Sequence, residues 1–228
     1  QLSKQVRIKG YLDGNMKPVT LNSLSLENPW LAPNISIAHT NEALVLGAQI
    51  ESTIAKKVDA QAGFSVSSIK NLYFFNQSQS QQEKFVAQFD KGATERTNFY
   101  LQLQYAASTR TWFTIRYDGF SYNTDTLARA WHRPSTVLQT TASHLIGNKL
   151  RISADFNFLG GLRAQNPQNE SIVALPNVVD LSTKVDYFLR EKMIVTLQLA
   201  NILNQDYQQY QFYNVRGFQV RAGFTWSF

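Results

Sequence analysis

Read in steps of two back from the C-terminus, Phe228, Trp226, Phe224, Ala222, Val220 and Phe218 are apolar, while Ser227, Thr225, Gly223, Arg221 and Gln219 between them are small or polar. Successive side chains of a strand point to opposite sides, so a period of two predicts a strand with one apolar and one polar face. The pattern recurs along the chain. In LRISADFNF, Leu150, Ile152, Ala154, Phe156 and Phe158 oppose Arg151, Ser153, Asp155 and Asn157. In VVDLSTKVDYFL, Val179, Leu181, Val185, Tyr187 and Leu189 oppose Asp180, Ser182, Lys184 and Asp186. Ten strands are predicted, over about 4–13, 43–55, 58–74, 95–107, 111–123, 134–146, 149–161, 177–189, 193–204 and 215–228. No segment reads as a helix of sustained length.

The connections alternate in length. Short ones at 56–57, 108–110, 147–148 and 190–192 take turns with long ones at 14–42, 75–94, 124–133, 162–176 and 205–214. Tight turns are therefore expected at one end of an all-β, antiparallel array and long loops at the other. All six prolines fall in long loops or at a strand's first residue, as expected of a residue that cannot donate to a ladder.

Composition decides which face looks outward. Charged residues are 17% of the chain, against about 25% in ordinary soluble domains, and polarity comes instead from Gln, Asn, Ser and Thr. No run approaches the roughly 20 apolar residues of a membrane helix, but a transmembrane barrel shows only short alternating segments. Ten strands of large apolar side chains would overfill a closed interior. With the faces exchanged, the apolar side meets lipid and the polar side, with Arg151, Asp155, Asp180, Lys184, Asp186 and Arg221, lines the lumen. Closure spares backbone groups from lying unpaired in hydrocarbon. A transmembrane β-barrel is expected, its lumen charges paired across neighbouring strands, because an unpaired buried charge is costly. An aromatic girdle is expected at Trp112, Phe113, Trp226 and Phe228 near the tight turns, and at Tyr73, Phe74, Phe75 and Tyr122 near the opposite rim.

Several classes are excluded. There is no cysteine, hence no disulfide, thiol nucleophile or thiolate-bound metal. The net charge of +6 is scattered, with no basic run longer than Lys56-Lys57, so nucleic acid is not an expected partner. The N-terminal QLSKQVRIKG lacks the apolar stretch of a secretory signal, which is absent or already removed. No catalytic, cofactor or metal site is expected. Ser143 and His144 are adjacent on a strand and face opposite ways, while His39 and His132 lie in loops without metal-ligand spacing.

The final RAGFTWSF resembles the C-terminal signal by which the bacterial barrel-assembly machinery selects its substrates, carried by Arg221, Gly223, Trp226 and Phe228. QLANILNQDYQQY resembles the segment ending the penultimate strand of TonB-dependent receptors, with Asn201, Ile202, Leu203, Asn204 and Tyr207 as the matching positions. The hairpin LVLGAQIESTIAKKVDAQAGFSV is similar to another strand pair of that family, and the resemblance spans roughly 43–228. It implies a Gram-negative outer membrane, short periplasmic turns, long extracellular loops and uptake of a nutrient such as an iron chelate, vitamin or glycan. The implied partners are outer-membrane lipid, the assembly machinery and the rest of a receptor chain or an envelope complex. Neither the plug nor the TonB box of complete receptors is visible, and Arg216-Gly217 stands where the family often has the reverse order. Residues 1–228 therefore read as a single barrel domain or as the C-terminal part of a larger barrel. The alternative is a small non-transporting barrel acting as adhesin, structural subunit or envelope partner.

Tyr207, Tyr210, Phe212 and Tyr213, set among amides in QDYQQYQFYN, are the candidate ligand-contact loop, since rings stack and amides hydrogen-bond. They equally suit packing within the loop, as do Trp30, Trp131 and His132 in other loops.

Overall fold

The computed structural model describes residues 6–33, 35–81 and 83–227. In chain order the elements are β1 (Val6–Lys17), α1 (Leu21–Glu27), β2 (Thr40–Ala55), β3 (Val58–Lys70), β4 (Tyr73–Gln77), β5 (Phe85–Phe89), β6 (Ala93–Ser108) and β7 (Thr111–Asn123). There follow β8 (Thr136–Ile146), β9 (Leu150–Gly160), β10 (Arg163–Gln165), β11 (Ile172–Ala174), β12 (Val178–Arg190), β13 (Met193–Ala200), β14 (Gln208–Tyr210), β15 (Tyr213–Asn214) and β16 (Gln219–Trp226).

Ten of these strands form one antiparallel sheet in the order β1-β2-β3-β6-β7-β8-β9-β12-β13-β16. They are the ten expected from the alternation, each beside its neighbour in that series. Their ends shift where the backbone demands it. β1 runs on to Lys17 through an irregularity between Asp13 and Asn15. β3 stops at Lys70 and β13 at Ala200, because Asn71 and Asn201 take positive φ values of 54° and 47°, which turn the chain out of the extended region. The long connections hold what alternation could not show: the hairpins β4-β5, β10-β11 and β14-β15, and the helix α1. Thr20 caps that helix, accepting from the Ser23 N–H while the Ser23 hydroxyl faces back to the Thr20 N–H.

Burial on the main sheet is the reverse of that in a soluble domain. On the polar side Ser67, Asp118, Ser143 and Asp186 are buried, while on the apolar side Leu46, Phe64, Leu101 and Leu197 are exposed, as is Phe224 at 57%. The apolar side has no cover among the described residues. The buried apolar clusters lie instead at the long-loop end: Val19, Leu24, Phe75, Phe85, Ala87 and Tyr210 form one, and Leu162, Ala164, Leu175, Val178 and Tyr207 another. Loops, not sheet faces, supply this protein's apolar core.

Two parts of the expected girdle are corrected. Trp112 stands in register with Ser143 and Ser153 on the polar side, so only its neighbour Phe113 faces outward; adjacent strand residues cannot share a face. Phe74 and Phe75 are buried in the loop layer, with Phe74 edge-on to Tyr122. Phe228 lies outside the described residues.

On the polar side two glycines make room for rings. A Cβ on Gly47 would lie 2.3 Å from the Tyr11 ring, and one on Gly63 would lie 2.3 Å from that of Tyr100. The phenols therefore lie flat over bare backbone and leave the face free of bulk.

Candidate functional site: the capped polar face

Arg7, Glu51, Gln61, Gln102, Arg116, Gln139, Asn157 and Asp180 stand in register across β1, β2, β3, β6, β7, β8, β9 and β12. Each of these eight strands contributes one hydrogen-bonding side chain, so the row crosses eight of the sheet's ten strands with no apolar break. Arg116 grips Asp118 through Nε at 2.7 Å and Nη2 at 2.8 Å, reaches Gln102 at 3.2 Å, and lies 4.5 Å from the Tyr100 ring centre. Glu51 accepts from Lys9 at 3.0 Å and Gln49 at 2.8 Å. Such a face binds water and hydrated or hydrogen-bonding groups, not apolar ones. It carries a hollow of about 720 Å³ near the tight turns, walled by Arg7, Glu51, Asp59, Gln61, Gln102 and Gln104.

The expected lumen charges all stand on this polar side, but the expected pairing across strands is not what they make: of the six, only Lys184 and Asp186 form an ion pair among the described residues, along one strand, and the cross-strand pairs belong to other residues. Lys184 meets Asp186 at 3.1 Å along one strand, as Arg116 meets Asp118, whereas Glu42 is bridged across strands by Lys17 at 2.8 Å and Arg96 at 3.2 Å. Asp180 accepts from Ser182 and from the Tyr207 hydroxyl at 3.0 Å. Arg221 donates to Gln219, and Arg151 lies over the Phe188 ring at 5.3 Å. Asp155 has no ion-pair partner among the described residues.

The long loops fold together into a cap. Glu27 is its hub: its carboxylate accepts from the Tyr73 hydroxyl at 2.6 Å and pairs with Arg133 at 2.8 Å, while its carbonyl accepts from the Tyr210 hydroxyl at 3.2 Å. Burial, then the Glu27 carboxylate, pushes the Tyr73 phenol up to about 12. Of the candidate contact loop, Tyr207 and Tyr210 are buried, Tyr213 stacks on Trp30 at 4.0 Å between ring centres, and Phe212 is 62% exposed with a positive φ of 70°. Below the cap a cavity of about 290 Å³ is lined by Lys17, Glu42, Tyr73, Arg96, Tyr122 and Arg133, among others. The last-strand residues Arg221, Gly223 and Trp226 sit on the free edge strand, Trp226 exposed on its apolar side.

Two further cap residues are buried and polar: Asp90, which sequence reasoning missed, and His132, for which loop packing was one of two readings. Asp90 is fully buried and ties the β5–β6 turn to the loop after β7. His132 is also buried: its Nδ1 lies 2.8 Å from the Phe75 carbonyl and its Nε2 accepts from the Gln211 N–H at 3.3 Å. That pattern requires the neutral ring protonated at Nδ1. Burial holds its pKa down at about 4, against a smaller opposing pull from the Phe75 carbonyl. Since the folded value is lowered, this stabilisation is complete above the ordinary value near 6.5 and is lost as pH falls toward 4. We expect proteolytic nicking of residues 124–135 and 205–214 to rise across that interval. His132→Asn should remove most of the change, and an unaltered pH profile in that variant would refute the assignment.

The fold and this face define a class: a barrel-type antiparallel sheet with an apolar exterior, a polar interior and a loop cap at one end. No protein-family model and no curated protein matches the sequence. Among solved structures the chain is similar over 100% of its length to copper transporter OprC, with a TM-score of 0.70 and 12% identity, covering 37% of that protein. It is similar over 97% to the FrpB iron transporter from Neisseria meningitidis (TM-score 0.66, 11% identity, 36% of that chain). Over 98% it matches the pyoverdine outer membrane receptor FpvA from Pseudomonas aeruginosa PAO1 (TM-score 0.67, 9% identity, 34% of that chain). The chain spans about a third of the length of the structures it matches. These likenesses establish a barrel-like fold.

Proposed function

We propose that the ten strands are wall strands of an outer-membrane β-barrel of the TonB-dependent receptor type in a Gram-negative bacterium, serving uptake of a scarce solute. The observation that carries this reading is the inverted sheet: its polar side holds the buried residues and the ion pairs while its large apolar side is bare, over a length that aligns throughout with receptor and transporter barrels. Lipid is the solvent that suits such a face. The tight turns then lie in the periplasm and the cap outside. β1 and β16 are the sheet's two edges, and an edge in hydrocarbon leaves backbone groups unpaired at several kcal/mol each. Both edges pair with further strands, for which the remainder of a receptor chain is the natural source. The barrel-assembly machinery reads Arg221, Gly223, Trp226 and Phe228.

The solute is a metal ion or a metal chelate, by analogy with the copper named for OprC, the iron named for FrpB and the pyoverdine named for FpvA. Phe212 and Tyr213 offer it contact at the cap, with Tyr207 and Tyr210 as their support. Membrane fractionation and uptake of labelled copper and ferric chelates, with and without the gene, test the reading. Recovery in the outer membrane with gene-dependent uptake supports it. Recovery in a soluble fraction overturns the barrel, and an outer-membrane protein without effect on either solute favours the small non-transporting barrel.

A further inference from the structure

Trp112 is out of place for a membrane barrel. It stands on the polar side, in one register row with Ser143, Ser153 and Lys184, and remains 44% exposed. Its ring forms a wall of a separate hollow of about 340 Å³ at the tight-turn end, with Leu145 as a second apolar surface and Arg110, Arg151, Lys184 and Asp186 around them. The charges do not cancel. Asp186 is held by Lys184 at 3.1 Å and by the Thr196 hydroxyl at 2.6 Å, which leaves two guanidinium groups with no carboxylate partner among the described residues. Arg110 is steadied by Asn148 at 3.1 Å, and Arg151 by the Phe188 ring.

A flat apolar wall in a hollow where three cations, two of them guanidinium groups, surround a single carboxylate, Asp186, itself opposite Arg151 and held by Lys184, matches a carboxylate carried next to an aromatic or apolar group: the guanidinium groups take the oxygens and the indole takes the flat part. We infer that this hollow, far from the cap, is a binding site for an aromatic or apolar carboxylate presented at the tight-turn end. The carboxylate comes either from a free small acid or from an acidic segment of a polypeptide. The site goes beyond solute capture at the cap and stands whether or not the protein transports.

Titration calorimetry on the full protein in detergent micelles tests this, with benzoate and the peptide acetyl-Phe-Asp-Phe-amide as probes. Benzamide and acetyl-Phe-Asn-Phe-amide are their neutral counterparts. At least one acid should bind saturably, about tenfold or more tighter than its neutral counterpart. Benzoate alone identifies a small-molecule source, and the peptide alone a polypeptide source. Arg151→Gln and Trp112→Leu should each weaken binding by about tenfold, Arg110→Gln should also weaken it, and Asp155→Asn should leave it unchanged. Circular dichroism confirms that each variant keeps its strands. The inference falls if neither acid binds, if neutral probes bind equally, or if folded Arg151→Gln and Arg110→Gln variants bind as tightly as the parent.

Discussion

Leu181→Arg should block stable insertion, at a cost of roughly 2 to 4 kcal/mol for a cation near mid-bilayer on a lipid-facing strand position. Leu181 pairs with Phe156 on the apolar side of β12 and β9, one residue from Asp180 on the polar side. Asp180→Asn should be mild by comparison, since an amide oxygen still accepts from Ser182 and Tyr207. Urea unfolding of the protein reconstituted in vesicles measures both variants against the parent. Equal effects of the two changes would mean that the faces are assigned wrongly.

Asp90→Ala should open the cap. The Asp90 carboxylate accepts from the Thr94 hydroxyl at 2.6 Å, the Asp125 N–H at 2.9 Å, the Thr126 N–H at 2.7 Å and the Thr126 hydroxyl at 2.6 Å. One side chain thus anchors the loop after β7 to the turn before β6. Burial works to raise its pKa, but hydrogen bonds from Thr126, Thr94 and the two backbone N–H groups outweigh it and bring the value down to about 2. Because the folded value is lowered, the stabilisation is full above the ordinary value of 3.8 and declines as pH falls toward 2. Removing the carboxylate leaves four donors without an acceptor, a loss of about 3 kcal/mol locally. Amide exchange at Asp125 and Thr126 should then quicken by about a hundredfold, with the main sheet unaffected. Unchanged exchange would show that the loop is held elsewhere.

The ten-strand sheet was legible because alternation is a local property: Arg151 to Phe158 declares two faces whatever surrounds it. The residues destined for the polar side were legible for the same reason. Trp112 was misread because aromatic content near a tight turn was given more weight than strict parity along the strand. The cap was not legible, since it depends on meetings between distant loops. Nothing near Glu27 announces Tyr73, Arg133 and Tyr210, and nothing near Asp90 announces Thr126. The helix α1 did leave a trace in Thr20 and Ser23, but seven residues are too few for a periodic signal to stand out. Tyr207, Tyr210 and Tyr213 carried two readings in the sequence; in the structure Tyr207 and Tyr210 are buried in the cap, Tyr213 stacks on Trp30, and Phe212 stands exposed.

Tyr210 and Glu27 are separated by 183 positions along the chain, yet touch. A lid sewn from loops so far apart in sequence requires the intervening ribbons to stand side by side. It also acts as a brace, since splaying the sheet would pull these anchorages apart.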